Sequence, residues 1–125
     1  MQERGLSGEL AKRTKALALR IIRLYTSLPK TQPARIIAVQ LLRSGTSVGA
    51  NYREASVARS KAEFAAKLGL VEQELRETEY WIDLLLEAGI VKPARLLPLR
   101  AELAELCAMT VASRKTAGKR PAVSG

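Results

Sequence analysis

The chain repeats apolar residues at alternating spacings of four and three positions, and this repeat constrains its fold more than any other feature. The first run contains Leu10, Thr14, Leu17, Ile21, Leu24 and Leu28. Such a repeat places all of its members on one side of an α-helix and is typical of helices that pack together in a bundle. No segment shows the alternation of apolar and polar residues that marks a strand. The sequence therefore predicts an all-α protein.

The ends of four helices are marked by local signals. Pro29 ends the first helix and Thr31 is a candidate N-cap for the second. A capping box, Ser60-Lys-Ala-Glu63, begins the third helix, and Gly89 ends it. The predicted helices span about 7–28, 32–58, 61–88 and 94–115, within one domain at 1–115 that is followed by a disordered basic tail at 116–125. Because the connections are short, we expect an antiparallel up-down four-helix bundle.

The apolar seam of the later helices predicts the rest of the core. Its members are Ile37, Leu41, Ser44, Val48, Tyr52 and Ala55, then Phe64, Leu68, Val71, Leu75, Thr78, Ile82 and Leu85, and finally Leu99, Leu103, Leu106 and Thr110. Cys107 lies beside this seam and is expected to be a small buried apolar side chain. On the second helix, Ile36, Val39 and Leu42 form a competing stripe.

Composition excludes several classes of function. The chain has no histidine, which removes Ser-His-Asp and Cys-His catalysis and the Glu-x-x-His sites of di-iron bundles. It has one cysteine, so no internal disulfide forms, and neither a signal peptide nor a membrane span is expected. These features predict a cytoplasmic protein without enzymatic activity, catalytic residues, bound metal or cofactor.

Positive charge is concentrated in the first half of the chain. Residues 1–61 carry twelve Lys and Arg against three Glu, a balance of +9, whereas residues 62–125 carry nine charges of each sign. Such a field suits a polyanionic partner. The candidate nucleic-acid-binding residues are Lys12, Arg13, Lys15, Arg20, Arg23, Arg43, Arg53, Arg59, Lys61, Arg114, Lys115, Lys119 and Arg120. Few aromatics accompany them, so contact with the backbone of a structured nucleic acid is favoured over base stacking.

The segment RSGTSVGANYREA, residues 43–55, places two glycines inside a predicted helix. Their spacing does not fit a phosphate-binding Walker loop, which needs four residues between the glycines and a following lysine. Gly45 and Gly49 instead form a pair of small residues on one helix face, which Ser44 and Ala50 widen. Mid-helix glycine costs about 0.5–1 kcal/mol relative to alanine. A neighbouring helix that packs very closely here would offset that cost.

Three motifs in this part of the chain resemble those of the 23S rRNA intervening-sequence proteins. They are Ser44-Gly-Thr-Ser-Val-Gly-Ala-Asn51, Ser60-Lys-Ala-Glu-Phe64 and Glu77-Thr-Glu-Tyr-Trp81. The resemblance implies a small bacterial protein with a four-helix bundle, often encoded within ribosomal RNA genes, whose relatives assemble as homopentamers. In architecture the chain is also similar to the basic accessory protein of diversity-generating retroelements, which binds reverse transcriptase and nucleic acid.

A second apolar stripe lies away from the seam of two helices. Its members are Leu19 and Ile22 on the first helix and Leu70, Trp81 and Leu84 on the third. Grouped apolar residues off the core face are typical of interfaces, so these five are expected to form contacts between subunits of a homo-oligomeric ring. The alternative is a wide core face in which Trp81 only covers the edge of the bundle.

Acidic residues concentrate on the third helix. Glu72, Glu79 and Asp83 share a flank, which would suit a metal site or an acid–base pair. Ion pairing with basic residues of neighbouring helices or subunits is favoured, because histidine is absent and Arg76 is close. Asn51 and Glu54, near the seam of the second helix, are expected to make buried polar contacts.

Two hypotheses for function follow. The first is a non-enzymatic oligomeric nucleic-acid-binding protein that contacts structured RNA, in preference to DNA, through backbone phosphates. The second is a scaffold or accessory factor that docks onto a protein such as a polymerase or a reverse transcriptase.

Overall fold

Four α-helices make up the structure, a computed structural model that describes the backbone of residues 2–124 and the side chains of residues 8–118. They are α1 (Gln2–Ser27), α2 (Gln32–Ser56), α3 (Lys61–Glu87) and α4 (Pro93–Ser124). No strand occurs in the described backbone. The predicted four-helix bundle is therefore confirmed.

The connections between helices are fixed by capping interactions. At the start of α3, the Ser60 hydroxyl accepts a hydrogen bond of 3.0 Å from the Glu63 amide, and the Glu63 carboxylate accepts one of 3.1 Å from the Arg59 amide. At the end of α3, Gly89 has φ of +69°, and the amide of Ile90 donates to the Leu85 carbonyl at 3.0 Å. This is the left-handed glycine stop that ends many helices. Both signals had been visible in the sequence.

The predicted seam forms the core. All members of the first seam, from Leu10 on α1 to Leu28 just after it, are buried. The seam members on α3 from Leu68 to Leu85 and on α4 from Leu99 to Thr110 are buried as well. Phe64 and Ile37 are half-buried and pack against the core from its edge. On α2 the competing stripe is largely exposed at Ile36 and Val39, while Ala34 and Ala38 are buried instead. Small side chains thus face the core at the start of α2.

Side-chain contacts show that successive helices run antiparallel. Residues early in α1 lie near residues late in α2, as the approach of Gly49 to Thr14 shows. Likewise, Glu54 late in α2 meets Lys67 early in α3. Helices α1 and α4 also contact each other and close the bundle, although they approach less closely than the other neighbouring pairs.

The last helix differs from the boundary that the sequence suggested. The predicted helix ended near residue 115, but α4 continues to Ser124. Ala117, expected in the disordered tail, is buried. It lies seven residues after Thr110, so it repeats that residue's position on the core face and extends the seam by two turns. The side chains of residues 119–125, including Lys119 and Arg120, lie outside the described residues.

Candidate nucleic-acid interface

The sequence motifs meet at the contact between α2 and α3. The hydroxyls of Ser44 and Thr78 are hydrogen-bonded in the core, 2.9 Å apart. Beside them the Arg43 guanidinium pairs with Glu77, and the indole N–H of Trp81 donates to the same carboxylate at 3.0 Å. Arg43 also lies 3.6 Å from Glu74. These residues hold the two helices together, so Arg43 is occupied by its own chain.

The paired glycines lie against α1. A Cβ at position 45 would be 2.9 Å from Cγ1 of Ile21, closer than real Cβ contacts. At position 49 it would be 3.4 Å from the Thr14 carbonyl oxygen, an ordinary contact distance. Ser44 instead points toward α3, and Ala50 is exposed. Of the four residues predicted for close packing, the two glycines are therefore the ones that lie next to α1.

Some of the predicted basic residues are neutralised within the chain. Arg13 binds Glu102 on α4 through two hydrogen bonds of 2.7 and 3.0 Å and also pairs with Glu105. These hydrogen bonds, first of all that to Glu102, raise the pKa of Arg13 above its ordinary value. Arg114 binds Glu72 at 2.7 Å, and Arg59 lies 3.9 Å from Glu63. With Arg43, these four arginines have carboxylate partners.

The other predicted basic residues have no carboxylate within 4.0 Å among the described side chains. They are Lys12, Lys15, Arg20, Arg23, Arg53, Lys61 and Lys115. Lys61 and Lys115 lie at the end of the bundle where α3 begins. Arg35, which the sequence reasoning did not single out, is exposed and unpaired as well. Unpaired cations of this kind are free to contact an external anion.

Exposed cations of α1 and α2 share the outer side of the bundle. We call Lys12, Lys15, Arg35 and Arg53 the basic face. Lys12 and Lys15 lie on α1 away from its buried seam, and Arg53 follows Gly49 by one turn, on the side of α2 next to α1. On α1 and α2, the only acidic residues with described side chains are Glu9, near Arg13, and Glu54, which pairs with Lys67 on α3. The basic face therefore has no counter-charge of its own.

Three arginines line a cleft between α1 and α4, where the two helices stand apart. The cleft has a volume of about 250 Å³ and is lined by Arg20, Arg23, Leu24, Arg95, Leu96 and Leu99. Arg95, in the first turn of α4, donates a hydrogen bond to the Ser27 hydroxyl. We call this the arginine cleft. Arg95 was missed in the sequence because its half of the chain is electrically balanced and nothing local showed that α4 begins beside Arg20 and Arg23.

The residues predicted to join subunits form two separate patches. Leu19 and Ile22 are 46% and 41% exposed on the outer side of α1. On α3, Leu70 is 43% exposed, whereas Trp81 and Leu84 are half-buried. Trp81 also packs edge-on against Tyr80, with ring centroids 5.0 Å apart, and touches the core. Since no backbone contact between α1 and α3 is found in the described part of the chain, one subunit does not bring the two patches together.

The acidic flank of α3 is bound by arginines. Arg100 on α4 donates to Asp83 at 2.8 and 3.3 Å and to Glu79 at 2.8 Å. Glu72 accepts from Arg114 and, at 3.1 Å, from Arg76, and these bonds lower the pKa of Glu72. The predicted interhelical ion pairing is thus found. Among the described residues, no group of three or more His, Cys, Asp or Glu is arranged to hold a metal ion.

Three further residues clarify the chemistry of the chain. Cys107 is buried, and this burial raises the pKa of its thiol to about 11, which leaves it almost wholly protonated at neutral pH. The prediction of a buried contact for Glu54 is wrong, because Glu54 is exposed and pairs with Lys67 at 2.8 Å. Asn51 is half-buried and donates to the Ser47 carbonyl of its own helix at 2.9 Å.

A protein family and a solved structure match most of this chain. The family model for the 23S rRNA-intervening sequence protein matches residues 8–112. A crystal structure of a protein of unknown function from the S23 ribosomal protein family of Bacteroides thetaiotaomicron is 33% identical, with a TM-score of 0.82 over 88% of this chain and 98% of that chain. No curated protein matches. Within the described residues, no helix is both long and apolar enough to span a membrane.

Proposed function

Because this chain belongs to the 23S rRNA-intervening sequence protein family, we propose that it is a nucleic-acid-binding protein without catalytic activity. Its partner is a structured RNA, which it contacts through backbone phosphates. The name of the family refers to sequences that interrupt 23S ribosomal RNA. The charges of the chain itself, rather than that name, carry the proposal.

One observation carries it: every described carboxylate of α3 and α4 except Glu87 has a cationic partner, while the cations of the basic face have no described carboxylate within 4.0 Å. Along α3, Glu72, Glu79 and Asp83 are each held by an arginine. No described carboxylate reaches Lys12, Lys15, Arg35 or Arg53. Cations without internal partners can neutralise phosphates and release their counterions, which is the main source of affinity for nucleic acids.

We propose that the protein acts as a homo-oligomeric ring, with five subunits as the family resemblance implies. The patch of Leu19 and Ile22 on α1 and the patch of Leu70, Trp81 and Leu84 on α3 lie on different sides of the bundle. When one patch meets the other on the next subunit, the contact is head-to-tail, and such contacts form a ring when the rotation from one subunit to the next closes. A ring repeats the basic face around its circumference and strengthens weak contacts with one RNA through multivalency.

RNA binding is tested by fluorescence anisotropy with a labelled RNA hairpin and a duplex DNA of equal length, titrated between roughly 50 and 400 mM salt. We expect affinity for the hairpin to fall steeply with salt. The double variant Lys12→Gln/Lys15→Gln should weaken binding and reduce the salt slope by about two, one for each lost phosphate contact.

The control is Arg76→Gln/Lys92→Gln, which removes the same charge from exposed positions on the α3 side of the bundle. This control should bind the hairpin nearly as well as the unchanged protein. Equal losses in both double variants would show that net charge alone drives binding and would remove the basic face from the proposal. Absence of binding at the lowest salt would overturn the function itself.

A scaffold that docks onto another protein is the second candidate, and the apolar residues around the basic face favour it. Ile36 and Val39 are 59% and 53% exposed on α2, close in sequence to Arg35. Mixed apolar and cationic surfaces suit a protein partner that offers apolar and acidic side chains. If the folded, unchanged protein bound no RNA at any salt concentration in the anisotropy experiment, the scaffold would become the favoured function.

A further inference from the structure

The arginine cleft differs from the ion-paired arginines of the described structure. Arg13, Arg76, Arg100 and Arg114 each lie against at least one carboxylate of the same chain. Among the described side chains, Arg20 and Arg23 have none within 4.0 Å, and the Arg95 guanidinium is hydrogen-bonded only to the Ser27 hydroxyl. All three arginines nevertheless line the same cleft.

Bringing three like charges to one cleft opposes folding unless an opposite charge joins them. The floor of the cleft strengthens this effect, because Leu24, Leu96 and Leu99 are buried and offer no polar group to offset the charge. An anion that binds between the three arginines would remove the repulsion.

We propose that the arginine cleft binds a phosphate group carrying two negative charges. Guanidinium groups donate paired hydrogen bonds that match the oxygens of phosphate. A dianion balances three arginines better than the single charge of a backbone diester. The volume of about 250 Å³ accommodates one such group. Arg95 also lies in the first turn of α4, where the helix dipole adds positive potential.

The end of an RNA chain is one source of such a phosphate, and a free phosphate is the other. The first source rests on the proposed RNA binding, whereas the second does not. The cleft is separate from the basic face. Arg20, Arg23 and Arg95 line the space between α1 and α4, whereas Lys15 and Arg53 lie where α1 packs against α2. Its ligand can therefore be tested without RNA.

Thermal unfolding with inorganic phosphate tests the cleft directly, with sodium chloride keeping the ionic strength constant. We expect a saturable rise in melting temperature, by about 5 °C at ten times the dissociation constant. Arg95→Gln and, separately, Arg20→Gln should abolish the rise. Lys92→Gln is the matched control, since Lys92 is exposed in the turn before α4 but does not line the cleft. It should keep the rise.

The proposed site would be overturned if phosphate did not raise the melting temperature of the unchanged protein, or if it raised that of Arg95→Gln equally. The result of this thermal experiment does not depend on RNA binding. The source is then identified with an RNA that carries either a 5′-phosphate or a 5′-hydroxyl. Tighter binding of the phosphorylated end by about tenfold, lost in Arg95→Gln, would assign the cleft to RNA ends, since one charged hydrogen-bonded contact is worth about that much. Equal binding of both RNAs, together with the thermal rise, would assign it to free phosphate and would contradict the RNA end as its source.

Discussion

The two halves of the bundle are held together by different means. Between α3 and α4, arginines of one helix bind carboxylates of the other, as Arg100 and Arg114 do. Between α1 and α2, no ion pair is found among the described side chains, and the contact depends on the glycines of α2 lying against Ile21 and Thr14. One pair of helices is joined by charge and the other by close packing.

This difference explains where the unpaired positive charges of the protein lie. In the half formed by α3 and α4, nearly every arginine is needed to neutralise a carboxylate of the fold. In the half formed by α1 and α2, packing alone maintains the contact, so the cations there do not stabilise it. Charges that the fold does not need are the ones that remain for a partner. Replacing a cation that has a carboxylate partner should therefore lower stability, whereas replacing an unpaired cation should affect binding instead.

The largest loss of stability is expected from Arg100→Gln. The side chain of Glu79 is only 13% exposed, so removing Arg100 leaves a largely buried carboxylate without its partner. We expect the free energy of unfolding to fall by about 1–3 kcal/mol, below the value for a fully buried pair because Asp83 is more exposed. Urea denaturation followed by circular dichroism measures this loss.

Arg53→Gln is the matched control for Arg100→Gln. Arg53 is exposed on α2 and has no carboxylate within 4.0 Å among the described side chains, so its replacement should change the free energy of unfolding by less than about 0.5 kcal/mol. Similar losses for the two variants would contradict the division between a half that uses its charges for folding and a half that does not.

A smaller loss is expected from Gly45→Ala. The new methyl group would lie within 3.0 Å of two side-chain atoms of Ile21, a buried residue that cannot move freely. Overpacking of this kind costs about 1–3 kcal/mol, which exceeds the gain of about 0.5–1 kcal/mol in helix propensity. We expect a net destabilisation of about 1 kcal/mol, measured by urea denaturation.

Gly49→Ala provides the comparison for Gly45→Ala, because both change glycine to alanine on the same helix face. At position 49 the new methyl group meets Thr14 at ordinary contact distances. The gain in helix propensity should then prevail, and stability should stay the same or rise slightly. If both variants were stabilised, close packing against α1 would not be the reason for the glycines.

Most of the fold could be predicted from the sequence, because the signals for it are local. Spacings of four and three identified the buried face of every helix, and the capping box at Ser60 and the glycine at position 89 located the ends of α3. The end of α4 was placed too early, because the basic residues after Thr110 suggested a tail. Among the side chains described after Thr110, Ala117 alone continues the buried seam, and one alanine is a weak signal.

The candidate site could be predicted only in part. Net charge indicated which half of the chain is positive, but a sequence does not show which cations face a carboxylate across the bundle. Arg13 and Arg23 look equivalent in the sequence. The first meets Glu102, which is 89 residues away, and the second meets no carboxylate among the described side chains. Arg95 joins Arg20 and Arg23 only because the chain returns antiparallel in α4, so tertiary structure alone reveals the cleft.

The smallest expected effect is on the pH dependence of stability, through the ion pairs of Glu72 on α3. Hydrogen bonds from Arg114 and then from Arg76 lower the pKa of Glu72 from its ordinary value of 4.5. In the unfolded chain the pKa returns to that value, so the unfolded state takes up a proton first as the pH falls. The stabilisation by Glu72 is therefore complete above about pH 4.5 and is lost as the pH falls through the lower pKa of the folded state.

We expect Glu72→Gln to melt at a lower temperature than the unchanged protein at pH 6, by a few degrees at most. The two melting temperatures should converge as the pH is lowered from 6 through about 4.5 and below, because a protonated Glu72 and a glutamine are both neutral. Thermal denaturation across this pH range measures the difference. Glu87→Gln is the control, since Glu87 is exposed on α3 and has no cation within 4.0 Å among the described side chains, and its melting curve should follow that of the unchanged protein. A constant gap between Glu72→Gln and the unchanged protein down to pH 3 would mean that Glu72 stabilises the bundle by packing rather than by charge. That result would weaken the contrast between the charged and the close-packed half.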